Sequence, residues 1–114
     1  MFKLESDTLK REFKINDGNF YASQIYNKYS RMSFVPDGNG SEFYIRFQNG
    51  YEFSSKGLAV TNSKEENGFL EFTFEEVCGV EVTVKYWIHK DNSTICKQII
   101  INQTGDDIID YVSL

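Results

Sequence analysis

The chain has 114 residues, the length of one domain, so we expect a single domain over residues 1–114. Its net charge is −5 at pH 7, and a negative field of this kind repels phosphate backbones and anionic lipid surfaces. Nucleic acid and membranes are therefore not expected as partners. Uncharged sugars are not affected by net charge.

The first seven residues, Met1–Asp7, contain no run of apolar residues. A secretory signal peptide requires such a run, so none is expected in this chain. The observation predicts a cytoplasmic location, or a chain that has been trimmed at its start. In a reducing compartment, the two cysteines would remain thiols.

Turn residues divide the chain into short runs that are rich in Phe, Tyr, Val, Ile and Thr. Most turns lie about ten to twenty residues apart, which is typical of a sandwich or barrel. No segment shows a convincing helical periodicity. We therefore predict an all-β fold, an antiparallel, supersandwich-like β-sandwich of about eight to ten short strands joined by hairpins. The predicted turns are 16–19, 37–40, 49–50, 67–68, 78–79, 90–92 and 105–107.

Alternating apolar residues define the first strand, in which Arg11 and Phe13 share one face and Lys10 and Glu12 the other. The Asp-Gly turn after this strand predicts a hairpin with residues 20–27.

The Asn49-Gly50 pair predicts a second hairpin, with a two-residue type I′ turn. In that register Gln48 is opposite Tyr51, and Arg46 is opposite Phe53. Four side chains then share one face of the hairpin: Tyr44, Arg46, Tyr51 and Phe53.

The clearest alternation lies in the second half, where Val82, Val84 and Ile88 are separated by polar residues and by Trp87. The best register with the next strand places Ile88 opposite Ile95. Cys96 is then opposite Trp87, and Cys78 lies about 30 Å away along the ladder. A disulfide between the two cysteines is therefore not expected.

The last residues, Tyr111–Leu114, still have the composition of a strand. An apolar strand at the very end of a chain predicts a fragment, here the N-terminal part of a larger protein. An unpaired edge over Ile108–Leu114 would favour homo-oligomers through strand addition.

Residues that carry catalysis or bind metals do not form a recognisable set. His89 is the only histidine, and neither cysteine has the spacing of a metal or redox motif. The adjacent carboxylates Glu65-Glu66 and Glu75-Glu76 lie in a polar loop and at a strand end, and neighbours on a strand point to opposite faces. We therefore predict no catalytic residue, no metal and no cofactor.

An aromatic surface remains as the candidate site. Trp87, Tyr44, Tyr51 and Arg46 are the candidate carbohydrate contacts, since sugars present apolar C–H faces to exposed rings flanked by polar groups. The alternative is that these rings pack against a second sheet or a neighbouring domain.

Residues 80–91 and 95–107 resemble the β-sandwich that precedes the catalytic barrel in melibiase-type α-galactosidases, a sandwich shared in outline with galactose mutarotase. There, a V-x-V-x-Y strand and a short polar loop lead to a strand ending in Asn and Gly. The opening segments, Leu9–Phe13, Asp17-Gly18 and Ile25–Lys28, are similar to the start of that domain, and Ser41–Phe43 with Asn49-Gly50 also fits.

The resemblance implies a non-catalytic N-terminal segment of a retaining glycoside hydrolase. Its partner would be the rest of the parent chain, whose barrel holds the catalytic aspartates. No catalytic residue carries over, and the mutarotase branch would need His and Glu residues inside the sandwich. The alternatives are a stand-alone carbohydrate-binding module and a structural or interaction domain without a ligand.

Overall fold

The computed structural model describes residues 2–23, 25–34, 41–89 and 94–114, and these form twelve strands and no helix. The prediction of an all-β fold is confirmed. The strands are β1 (Phe2–Glu5), β2 (Leu9–Asn16), β3 (Asn19–Ala22), β4 (Ile25–Asn27), β5 (Met32–Phe34), β6 (Tyr44–Phe47), β7 (Glu52–Ser54), β8 (Val60–Glu66), β9 (Phe69–Phe74), β10 (Val80–Ile88), β11 (Ile95–Gln103) and β12 (Ile109–Ser113).

All strand pairs are antiparallel and form three open sheets. The five-stranded sheet has the order β1-β2-β4-β5, with β3 also paired to β2. The four-stranded sheet has the order β11-β10-β9-β8, and the three-stranded sheet has the order β12-β6-β7. None of the three closes into a barrel.

Aromatic rings hold the sheets face to face. Phe72 on β9 lies 5.5 Å from Phe13 and 5.2 Å from Phe2, both in the five-stranded sheet. Phe74, on the same strand, lies 5.3 Å from Phe43, which precedes β6 of the three-stranded sheet. Ring pairs at these separations stabilise beyond their area burial. The four-stranded sheet is therefore one layer of a sandwich-like fold, and the other two sheets cover its inner face.

The predicted register between β10 and β11 is confirmed along its whole length, from Ile88–Ile95 to Val82–Ile101. Trp87 is opposite Cys96, and both cysteines are free thiols. The strong alternation fixes this register, because a one-residue shift would move every valine to the solvent side.

The predicted register of the Asn49-Gly50 hairpin is wrong by one residue. Ile45 pairs with Phe53, and Arg46 pairs with Glu52. The loop has three residues, since Phe47 N donates to Tyr51 O at 2.9 Å and, of the loop residues, only Gly50 has a positive φ. The backbone N–H of Gln48 donates to the carbonyl oxygen of Ile108, just before β12, and not to a residue of the hairpin. Phe53 therefore lies on the inner face with Ile45.

Other differences concern short strands. The alternation did not indicate β1, β5 or β8, and residues 20–27 form two strands, β3 and β4, instead of one. The prediction that Glu65-Glu66 lie in a polar loop is therefore wrong, since both end β8. The hairpin turn at Asp17-Gly18 is confirmed, and both residues have the positive φ that a type I′ turn requires. The turns predicted at 37–40 and 90–92 lie outside the described residues.

A buried polar cluster connects all three sheets. Glu42, which is 3% exposed, lies just before β6 and forms an ion pair with Arg11 of β2 at 3.4 Å. The hydroxyl of Tyr86 on β10 donates to the same carboxylate. Arg11 Nε also donates to the Ser23 carbonyl at 3.0 Å. Burying charge is costly unless it is paired and hydrogen-bonded, and here these bonds supply the compensation.

We expect Glu42→Ala to destabilise the fold by about 3–5 kcal/mol, because it leaves the Arg11 guanidinium buried without its counter-charge. Urea unfolding measures the change. Glu65→Ala is the control, since Glu65 is exposed on β8, and it should cost about 0.5 kcal/mol or less. Equal losses in the two variants would contradict a structural role for the cluster.

The Cys78-Gly79 turn packs against the segment that follows β11. Both turn residues have positive φ, and a Cβ at Gly79 would lie 2.6 Å from Gly105 N. Gly57 has a similar φ of +80°, yet a Cβ there meets nothing within 4 Å. An alanine substitution at Gly57 therefore tests backbone strain alone, whereas the same substitution at Gly79 tests strain together with steric overlap.

We expect Gly57→Ala to cost about 1 kcal/mol from the left-handed backbone alone. Gly79→Ala should cost about 1–3 kcal/mol more, since the methyl group overlaps main-chain atoms that cannot rotate away. Thermal unfolding of both variants measures the difference. If Gly79→Ala were as stable as Gly57→Ala, the predicted overlap would be contradicted, because the segment at Gly105 would then move away from the turn at no cost in stability.

Candidate functional site

The outer face of the four-stranded sheet carries the odd-numbered side chains of β9 and β10. Cross-strand pairs place Phe69 opposite Trp87 and Glu71 opposite Lys85. On the other side of β10, Gln98 of β11 is opposite Lys85. The same parity that buries Val82 and Val84 therefore brings rings and polar groups together on this face.

Trp87 and Phe69 occupy directly opposite positions on β10 and β9, and a cation lies near both rings. Lys85 Nζ lies 4.2 Å from the centroid of the Phe69 ring and 5.8 Å from that of Trp87. A cation at these distances is attracted to the negative face of an aromatic ring. The interaction holds the Lys85 ammonium next to both rings, where it remains a donor for hydrogen bonds.

A groove of about 550 Å³, which we call the Trp87 groove, opens over these rings. Its wall includes Asn67, Gly68, Phe69, Lys85, Trp87 and Gln98. A second depression of about 650 Å³ shares the Asn67-Gly68 turn and Phe69, and extends past them to Glu5 and His89. The two depressions meet at the turn between β8 and β9, because both are lined by it.

Glu5 on the rim of the second depression is held as a carboxylate by two lysines. Its Oε2 lies 2.9 Å from Lys28 Nζ, and its Oε1 lies 3.2 Å from Lys3 Nζ. The hydrogen bond from Lys28, followed by that from Lys3, lowers the pKa of Glu5 from 4.5 to about 2. The group is thus paired rather than available as a general acid.

Tyr44 and Arg46 lie on a different surface, the outer face of the three-stranded sheet. The Tyr44 hydroxyl donates to Glu52, which raises the pKa of Tyr44. The Arg46 guanidinium is 3.1 Å from Asp110 Oδ2 and lies over the Tyr111 ring at 5.3 Å. The hydrogen-bonding groups of this patch therefore bind one another.

Tyr51 is not part of that patch, which corrects the prediction of a shared face. Its ring lies 6.2 Å from Phe47 and 6.5 Å from Phe53, on the side opposite Tyr44 and Arg46. The cause is the three-residue loop described above. The four predicted contact residues thus occupy three separate places, with Trp87 alone on the four-stranded sheet.

The carboxylates considered in the sequence do not converge. Glu65 and Glu66 are neighbours on β8 and are both exposed. Within the described part of the chain, no group of three His, Cys, Asp or Glu residues is placed to hold a metal. Nor do those residues contain a helix that is long and apolar enough to cross a membrane.

Among the side chains of the Trp87 groove, the sequence interpretation named only Trp87 as a contact and did not name Phe69, Lys85 or Gln98. Gln98 could have been found, because the predicted β10–β11 register already places it opposite Lys85, next to Trp87. Phe69 follows a Gly turn, and its pairing with Trp87 depends on the β9–β10 register, which no pattern in the sequence fixed.

We expect the carboxyl group of Glu5 to titrate near pH 2 in a ¹³C NMR titration. Its stabilising effect should be present above pH 4.5 and lost as the pH falls through about 2, because the depressed pKa belongs to the folded state. Lys28→Met should raise this pKa, since it removes the larger contribution. Lys56→Met, an exposed lysine outside these ion pairs, should leave it unchanged. A Glu5 titration near 4.5 in the unmodified chain would contradict the pairing.

No protein family, no curated protein and no solved structure matches the chain. The residues that line the Trp87 groove therefore carry the functional argument.

Proposed function

We propose that this domain is a non-catalytic β-sandwich that binds an uncharged sugar in the Trp87 groove. The observation that carries the proposal is that Trp87 and Phe69, opposite each other on β10 and β9, line one groove together with Lys85 and Gln98. Sugar recognition requires an apolar platform together with a few polar groups at its margin.

The chemistry of each group suits a sugar ring. The C–H face of a pyranose would pack on the Trp87 indole, whose ring is large and partly exposed. The Gln98 amide can donate and accept hydrogen bonds, and the Lys85 ammonium can donate to a hydroxyl group. An uncharged ligand is also compatible with the net charge of −5, whereas a polyanion would be repelled.

The Trp87 groove is favoured over the Tyr44–Arg46 surface for a physical reason. There, Arg46 is engaged by Asp110 and Tyr111, and the Tyr44 hydroxyl is engaged by Glu52. A ligand would have to replace those bonds before forming its own. Tyr51, on the opposite side of the hairpin, packs on the inner-face rings of Phe47 and Phe53.

The role that fits such a domain is a supporting segment of a larger glycoside hydrolase of the α-galactosidase kind. The sequence resemblance supports this part of the proposal, and an all-β sandwich is compatible with it. The domain would contribute to the rim of a sugar site or to assembly with the rest of the parent chain. The chemistry would belong to residues outside this segment.

Titration with galactosides and other neutral sugars tests the proposal, with isothermal calorimetry and ¹⁵N chemical shifts as readouts. We expect saturable binding with shifts confined to β9, β10 and β11. Trp87→Ala should weaken it about tenfold or more, since a lost ring contact of about 1.5 kcal/mol has that effect. Tyr44→Ala is the matched control and should not change the affinity.

Two results would contradict the proposal. One is the absence of any shift at the Trp87 groove across a panel of neutral sugars at high millimolar concentration. The other is binding that Tyr44→Ala weakens and Trp87→Ala does not. Hydrolysis of an aryl galactoside by these residues alone would overturn the non-catalytic assignment.

A further inference from the structure

The Trp87 groove is continuous with the second depression. Four residues line both cavities: Asn67, Gly68, Phe69 and Ile88. Their volumes are about 550 and 650 Å³, and each lies within the range of roughly 300–1,000 Å³ that is usual for ligand sites. A ligand that fills the Trp87 groove therefore has a second cavity of similar size directly beside it.

The turn between β8 and β9 forms only a low ridge between the two cavities. Glu66 pairs with Phe69, so the loop consists of Asn67 and Gly68 alone, and both have the positive φ of a type I′ turn. Both turn residues are exposed, and a Cβ at Gly68 would meet nothing within 4 Å. The space beside the turn is therefore open to a ligand that passes from one cavity to the other.

The two cavities lie on different sides of the four-stranded sheet. Lys85 and Trp87 of the groove face outwards, whereas the second depression is lined by Leu4 and Leu70, which belong to the buried core. Leu70 follows Phe69 on β9 and therefore points to the opposite face. A ligand that occupies both cavities must bend around the end of the sheet.

The second depression combines apolar and polar surfaces, as the Trp87 groove does. Its carboxylates, those of Glu5, Glu65 and Glu66, can accept hydrogen bonds from sugar hydroxyls, and bonds to an ionised acceptor are stronger than neutral ones. A carboxylate has about four acceptor sites, so Glu5 can bind a hydroxyl group while it is paired with lysines. Three carboxylates beside Lys3 disfavour sugar acids and leave neutral units as the suitable occupants.

We propose that the ligand is a neutral oligosaccharide that bends over the Asn67-Gly68 turn, with one unit on Trp87 and a later unit in the second depression. The inference rests on the proposed function, because it extends the ligand of the same site. Glu65 is the residue that binds the later unit, since it is exposed and lines the second depression but not the Trp87 groove.

Isothermal calorimetry with sugars of increasing length tests the proposal. The probes are α-1,4-linked chains of galactose and of glucose with one to four units, because this linkage gives a curved chain. We expect the tetrasaccharide of at least one series to bind about tenfold or more tightly than its monosaccharide, since only the longer chain reaches the second depression.

The Glu65→Ala variant separates the two cavities. It should weaken tetrasaccharide binding about fivefold or more, because a hydrogen bond to an ionised group is lost, and it should leave monosaccharide binding unchanged. Glu76→Ala is the matched control, since it removes the same charge from an exposed position that lines neither cavity. Trp87→Ala should weaken the binding of every length.

Chemical shifts in ¹⁵N spectra show where each sugar binds. The tetrasaccharide should shift the amides of Lys3–Glu5 on β1, which belongs to another sheet, whereas the monosaccharide should shift only β9, β10 and β11. Equal affinities for both lengths at the Trp87 groove would overturn the inference and leave the proposed function intact. So would a gain in affinity that Glu65→Ala does not reduce, or one without shifts on β1. If no sugar of any length shifts the Trp87 groove, both proposals are wrong.

Discussion

The Glu42 carboxylate accepts hydrogen bonds from Arg11 in the five-stranded sheet and from Tyr86 in the four-stranded sheet, while its own backbone leads into β6 of the three-stranded sheet. Ring packing around this cluster stabilises the contact between the sheets by burial. Hydrogen bonds to a buried charge constrain the sheets further, because each lost bond leaves an uncompensated group. The relative placement of the three sheets therefore depends strongly on this one side chain.

A sequence that alternates strongly determines its own register. Val80–Ile88 is such a segment, and its pairing with β11, the free thiols and the outward position of Trp87 could all be predicted. The Asn49-Gly50 hairpin could not, because its loop length depends on the bond from Gln48 to Ile108, some sixty residues away in sequence. The Asn-Gly pair is compatible with a loop of two or of three residues, and the hydrogen bond from Gln48 to Ile108 favours the three-residue loop.

The buried cluster shows a second limit of sequence interpretation. Glu42 stands beside Ser41 at the start of the first strand of the predicted hairpin, and an acidic residue at such a polar strand end is typical of a solvated surface. Only the fold shows that Arg11 and Tyr86 lie within reach. Arg11 itself was placed correctly on the apolar face of its strand with Phe13, and its guanidinium lies 5.3 Å from that ring. A charged residue in the apolar row of a strand is the signal that a buried counter-charge exists elsewhere in the chain.

The parity of β9 and β10 divides their residues into two independent sets. Phe72, Val82 and Val84 belong to the buried core, whereas Phe69, Lys85 and Trp87 face outwards on the same strands. Changes in the outward set therefore leave no cavity in the core and should cost about 1 kcal/mol or less each, the range of cross-strand side-chain pairs. A scaffold built in this way is suited to directed evolution, because the outward positions can be varied while the core that holds the fold together stays the same.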